Sequence, residues 1–94
     1  MVKFYDTWKD GTATVSFYNH TLMNEIGIGS MYDMSEQLET VVEINYPGMT
    51  SKDIAHFDPE SGGFMVYCAT EEIAEVVNQE LNEFIFCELG KYPD

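Results

Sequence analysis

The segment from His56 to Leu89 restricts the fold more than any other part of this chain. Phe64, Val66 and Cys68 alternate with Met65 and Tyr67, the period-2 pattern of a strand with one buried face. Before it stands a turn, Asp58-Pro59-Glu60-Ser61-Gly62-Gly63. Pro59 presets its own φ, Asp58 can bond forward onto the turn backbone, and two glycines accept positive φ. A strand at His56-Phe57 therefore turns back into the strand at 64–68. Thr70 is then a natural N-cap, with Glu71 and Glu72 at the positive end of the helix dipole. Ile73, Val76, Val77, Leu81, Phe84 and Ile85 recur at helical spacing over Glu71 to Leu89, so this stripe faces the sheet. Glu71, Glu75, Gln79 and Asn82 are expected to lie away from it.

The first half supplies a second unit of the same kind. Residues 2–8 are rich in β-favouring types, and Asp10-Gly11 is a strong hairpin signal. Thr12 to Tyr18 alternates again, with Ala13, Val15 and Phe17 on one face. Leu22, Met23 and Ile26 allow one helical turn before Gly27 and Gly29 break it. Asp33 as N-cap, with Glu36 three residues on, marks a helix whose stripe is Met34, Leu38, Val41 and Val42. Pro47-Gly48 ends it, and residues 49–54 form a short connection anchored by Ile54. The order is ββ, a short helix or turn, α, ββ, α. The predicted fold is α+β: a four-stranded antiparallel sheet from two hairpins, with two main helices on one face. Residues 1–94 read as a single domain, with no linker or repeat.

Charge is the outlier of the composition. The 94 residues carry 17 acids against four lysines and no arginine, for a formal net charge of −13. Solubility accounts for a magnitude of roughly 2–8 in a small domain. The excess repels nucleic acid and anionic membranes, which need Lys and Arg at the contact. It attracts basic proteins and speeds their approach. The first residues lack the apolar run of a signal peptide, and no stretch reaches membrane-spanning length, so a cytoplasmic protein is expected.

Catalytic and metal-binding patterns are poorly supported. His20 and His56 have no metal partner at ligand spacing, and Asp58-x-Glu60 supplies too few oxygens for a calcium loop. Gly27-Ile28-Gly29-Ser30 has the form of a phosphate cradle, such as acetyltransferases use for coenzyme A. Glu25 and Asp33 flank it, however, and no cation lies nearby. Cys68 and His56 share the central hairpin and could pair as nucleophile and base. Yet Cys68 belongs to the apolar face with Phe64 and Val66, where a thiol is inert. Both Cys68 and Cys87 are expected to be buried, reduced thiols. Neither cofactor, metal nor enzymatic activity is expected.

Phe57-Asp58-Pro59-Glu60-Ser61-Gly62-Gly63-Phe64-Met65-Val66-Tyr67-Cys68, followed by Ala69-Thr70-Glu71-Glu72-Ile73-Ala74, resembles the immunity protein 51 family. That family's pattern is a strand, Phe-Asp-Pro-Glu-Ala-Gly, an aromatic-containing strand ending in Tyr, and a closing amphipathic helix. Gly29-Ser30-Met31-Tyr32-Asp33-Met34 is similar to its Gly-x-x-Tyr-Asp segment. The resemblance covers residues 27–85. The chain departs from the pattern at Gly63, where a larger residue is usual, and at Met34, where an aromatic is. Membership would imply a bacterial antitoxin that binds and neutralises a polymorphic toxin, often a nuclease, with no catalytic residues of its own.

Three acidic clusters are the candidate contacts: Glu36, Glu39 and Glu43 on the first long helix, Asp58 and Glu60 at the hairpin tip, and Glu71, Glu72 and Glu75 at the start of the last helix. Each alone reads as the solvated face of an amphipathic element. As a set they lack the interspersed lysines of such faces, and like charges at helical spacing cost about 0.2–0.5 kcal/mol per pair. Tyr18, Tyr32, Tyr46 and Tyr67 could add aromatic anchors. The expected function is a small acidic inhibitor of a basic, nucleic-acid-processing protein, as an immunity protein against a nuclease toxin. The alternative is a phage-encoded inhibitor of a bacterial defence nuclease, an anti-CRISPR or DNA mimic. An exposed sheet edge also offers a route to a homodimer.

Overall fold

The computed structural model describes residues 2–26, 30–48, 51–60 and 63–91. Its strands are β1 (Tyr5–Thr7), β2 (Ala13–Phe17), β3 (Ala55–Glu60) and β4 (Gly63–Cys68), in one antiparallel sheet of order β1-β2-β4-β3. Two hairpins thus join through β2 and β4, as the alternation predicts. Helices α2 (Ser30–Asn45) and α4 (Glu71–Leu89) pack on this sheet, accompanied by α1 (His20–Ile26) and the single turn α3 (Ser51–Ile54). The fold is α+β with a four-stranded antiparallel sheet, and no helix among the described residues is long and apolar enough to cross a membrane.

One face of the sheet is covered and the other is open. Ala13, Val15 and Phe17 of β2 meet Cys68, Val66 and Phe64 of β4 in register, and all six are buried. Met34, Leu38 and Val42 of α2 and Ile73, Val77, Leu81 and Ile85 of α4 complete one hydrophobic core with them. Each large apolar side chain removed from water there contributes about 1.5–3 kcal/mol. Phe17 sits at its centre, 5.4 Å from the Phe4 ring edge-on and 5.7 Å from Phe64.

The turn of the first hairpin and the caps of α4 are as the sequence predicts. Gly11 takes φ 89°, while Asp10 Oδ1 accepts from both the amide and the hydroxyl of Thr12. Thr70 Oγ1 accepts from the amide of Ile73 at the start of α4, and Gly90 closes the helix in the left-handed conformation.

Five expectations need correction. Helix α2 begins at Ser30, so Asp33 lies in its first turn rather than at its N-cap. Part of the predicted connection at 49–54 is helical, as α3, with Ile54 buried as expected. The β3–β4 ladder runs on through Asp58↔Met65, Pro59↔Phe64 and Glu60↔Gly63. Pro59 is tolerated because β3 is an edge strand, where a missing N–H costs little; Asp58 and Glu60 are therefore strand residues, not turn residues. Ser61 and Gly62, and the Gly27-Ile28-Gly29 turn, lie outside the described residues. Cys87 is exposed, not buried.

The fifth correction is Asn82, which is fully buried instead of facing away from the sheet. Its Oδ1 accepts from the amide of Val2 at 2.9 Å, and its Nδ2 donates to the carbonyls of Val2 (2.9 Å) and Asn78 (2.8 Å). Asn78, one turn earlier, accepts from the amide of Phe4 at 2.7 Å and donates to the carbonyl of Val2 at 3.1 Å. Two asparagines at i and i+4 thus give the entering chain the pairing that a neighbouring strand would give. Phe4 can then drop onto Phe17 while its own carbonyl accepts from Ser16. Buried backbone groups need such partners, and here a helix supplies them.

Candidate functional site

The predicted contact acids divide between the two sides of the molecule. Glu36 and Glu43 are exposed on α2 and Glu39 is half-buried beside them. Glu71, Glu72 and Glu75 are exposed on the first turns of α4, on the same helical layer. Two of these acids are tied to the fold. Glu75 accepts from the Tyr5 hydroxyl at 3.3 Å, and Glu72 bonds the Tyr46 hydroxyl at the end of α2. Partial burial first, then the adjacent carboxylates, push both phenols above their ordinary pKa. Asp58 and Glu60 stand on the other side, on the open face of the sheet, by their pairing with Met65 and Gly63.

Register explains the open face. One row across it is Asp6, Thr14, Tyr67 and His56; the next is Ser16, Met65 and Asp58. Side chains in each row are cross-strand neighbours, about 4.5–5.5 Å apart at Cβ. His56 stacks on Tyr67 with ring centroids 6.1 Å apart. Trp8 is held against the first row by its indole Nε1, which donates to Thr14 Oγ1 at 2.9 Å. At the opposite end Tyr18 lies over Gly63, and its hydroxyl reaches Glu60 at 3.4 Å. A Cβ on Gly63 would come within 2.6 Å of the Tyr18 ring and also strike the Phe17 carbonyl. Glycine is therefore required where the resemblance leads one to expect a larger residue. Burial first, and Glu60 second, raise the Tyr18 pKa.

The outcome is an aromatic band left uncovered by the helices: Trp8 is 55% exposed, Tyr67 45% and Tyr18 39%. Exposed aromatics with a polar tip are the residue types that anchor protein contacts. Of the four tyrosines considered from sequence, Tyr46 goes to the edge of the core, Tyr32 is exposed on α2, and Tyr18 and Tyr67 are here. Alternation from the buried Phe17, Phe64 and Val66 could have placed Tyr18, Met65 and Tyr67 on this face. Trp8 has the parity of Asp6 on this face, and its bond to Thr14 then fixes where the ring lies.

At the Trp8 end the band borders a groove of about 530 Å³, whose lining includes Trp8, Asp10, Thr14, Asp53, His56 and Tyr67. The Thr12 hydroxyl and amide hold the Asp10 carboxyl below its usual pKa. Cys68 and His56 are not brought together as a nucleophile and base. Cys68 pairs with Ala55 on the covered face, while His56 points to the open one. Burial pushes the Cys68 thiol up to about 12. Among the described residues no group of three His, Cys, Asp or Glu could hold a metal ion. Comparison with known proteins finds no matching family model, no similar curated protein and no similar solved structure.

Proposed function

We propose that this chain is a binding protein that captures and blocks a basic protein. The observation that carries this reading is where its charge lies. Among the described residues the only buried polar side chains are Ser35 and Asn82, so every described carboxylate stands at or near the surface. With four lysines and no arginine to offset them, the 17 acids give both sides of the molecule a negative field. Such a field steers a basic target and raises its association rate by about 10–10³-fold. Nucleases fit as targets because their substrate grooves are basic, and an acidic inhibitor fills a groove built for phosphates.

The resemblance of residues 57–74 to immunity proteins supports a toxin-immunity role, exercised in the bacterial cytoplasm where a nuclease toxin would act. A phage-encoded inhibitor of a defence nuclease has the same chemistry and is separated by gene neighbourhood: a toxin gene alongside, or phage structural genes. The test is capture of the target from host and competitor extracts, followed by a cleavage assay. A basic nuclease whose cleavage is stopped at about equimolar protein supports the proposal. Captured targets that are acidic, or a nuclease that binds and still cleaves, oppose it.

A further inference from the structure

The geometry points to the groove between Trp8 and the His56–Tyr67 stack as the place where the basic partner inserts an arginine side chain. This rests on the reading of the protein as a binder of basic proteins and specifies the face, the anchor and the chemistry. Three observations converge on it. The groove is open to solvent, and its volume of about 530 Å³ is within the range of about 300–1,000 Å³ found for ligand sites. Three aromatic side chains, Trp8, His56 and Tyr67, line it and are held in place before binding, Trp8 by its bond to Thr14 and Tyr67 by stacking with His56. A guanidinium stacks on aromatic faces and loses less hydration in doing so than an ammonium does. Asp10 and Asp53 also line the groove and add negative charge that attracts a cation.

The occupant comes from a different protein. This chain has no arginine at all, and two copies would each bring a net charge of −13 to the contact. The open face also suits the role because the helices leave it uncovered. Beyond the groove, Asp58 and Glu60 on the next rows would meet further cations of the same partner segment, with Tyr18 and Met65 as apolar contacts between them.

The test is a titration of the isotope-labelled 94-residue chain with the peptide acetyl-Gly-Arg-Gly-amide, read by the indole N–H of Trp8 and the amides of His56 and Tyr67. The control peptide carries citrulline, which keeps the shape of arginine and removes its charge. Expected are saturable shifts confined to the groove, with the citrulline peptide at least about tenfold weaker. Tyr67→Ser weakens the arginine peptide about tenfold, and Tyr67→Phe restores it. Asp10→Asn with Asp53→Asn abolishes the groove shifts. Asp33→Asn with Glu88→Gln removes the same charge elsewhere and leaves them in place. Tyr67 is exposed, so these variants keep the fold, which unchanged resonances of the covered face verify. Saturable shifts on α2 or α4 with none in the groove would overturn the inference and spare the wider reading. Equal binding of the citrulline peptide would overturn the inference, and so would shifts that depend on protein concentration without peptide, the mark of a second copy. No response to the peptide anywhere on the surface would count against both readings.

Discussion

Replacing Asn82 with alanine is expected to cost more stability than its single amide suggests. The change removes three hydrogen bonds of 2.8–2.9 Å from a fully buried site. At about 0.5–1.5 kcal/mol net for each, the sum is roughly 1.5–4.5 kcal/mol. The Val2 backbone groups are only part-buried and can rehydrate once released, so the lower half of that range, about 1.5–3 kcal/mol, is expected. For a domain of this size that lowers Tm by roughly 10–20 °C. Asn82→Asp is a sharper variant. It keeps an acceptor for the amide of Val2 but sets a carboxylate against the carbonyls of Val2 and Asn78, and should cost more than alanine. Asn78→Ala should couple with Asn82→Ala by at least about 0.5 kcal/mol, because both side chains donate to the carbonyl of Val2. Denaturant unfolding at constant m-value measures all of these. A loss below about 0.5 kcal/mol for Asn82→Ala, or an aspartate better tolerated than alanine, would refute the helix-side-chain clamp.

Gly63→Ala should destabilise by at least about 2 kcal/mol, since the new methyl overlaps the Phe17 carbonyl and the Tyr18 ring; thermal unfolding reads it, and a neutral result would mean that Tyr18 does not rest on β4. The two cysteines should separate cleanly under alkylation at neutral pH, Cys87 reacting while Cys68 stays protected until the protein unfolds. Two fast thiols by mass spectrometry would contradict the burial of Cys68. Its raised folded pKa makes a stability contribution that is complete below the unfolded value near 9.0 and is lost as pH climbs towards about 12. Tyr5, Tyr18 and Tyr46 shift the same way, so stability measured by urea titration should fall through this alkaline window.

What the sequence made legible was local. The Thr70 cap, the acidic first turn and the apolar stripe of α4 are short-range signals, and the helix runs from Glu71 to Leu89 as they require, closed by Gly90. Strict alternation in β2 and β4 likewise fixed which side chains are buried. Apart from the start of α2 and the single turn α3, the failures were long-range. Asn82 looked like a surface residue because its partner, Val2, is 80 residues away. Pro59 looked like a turn residue because nothing local reveals that its strand lies at the sheet edge. The candidate acids were easy to find as exposed positions, but their separation onto two sides of the molecule follows from the β2–β4 and β3–β4 pairings. The aromatic band needed the β2–β4 pairing, plus a bond between Trp8 and Thr14 that no periodicity encodes.

The central claim, that this surface captures a basic partner through its charge, is tested most directly by the association rate with the captured target. Trp8, the only tryptophan of the chain, reports the event by fluorescence in rapid mixing. Raising salt from about 50 to about 500 mM should slow association at least tenfold, as screening of exposed charges demands. A rate indifferent to salt would contradict the account.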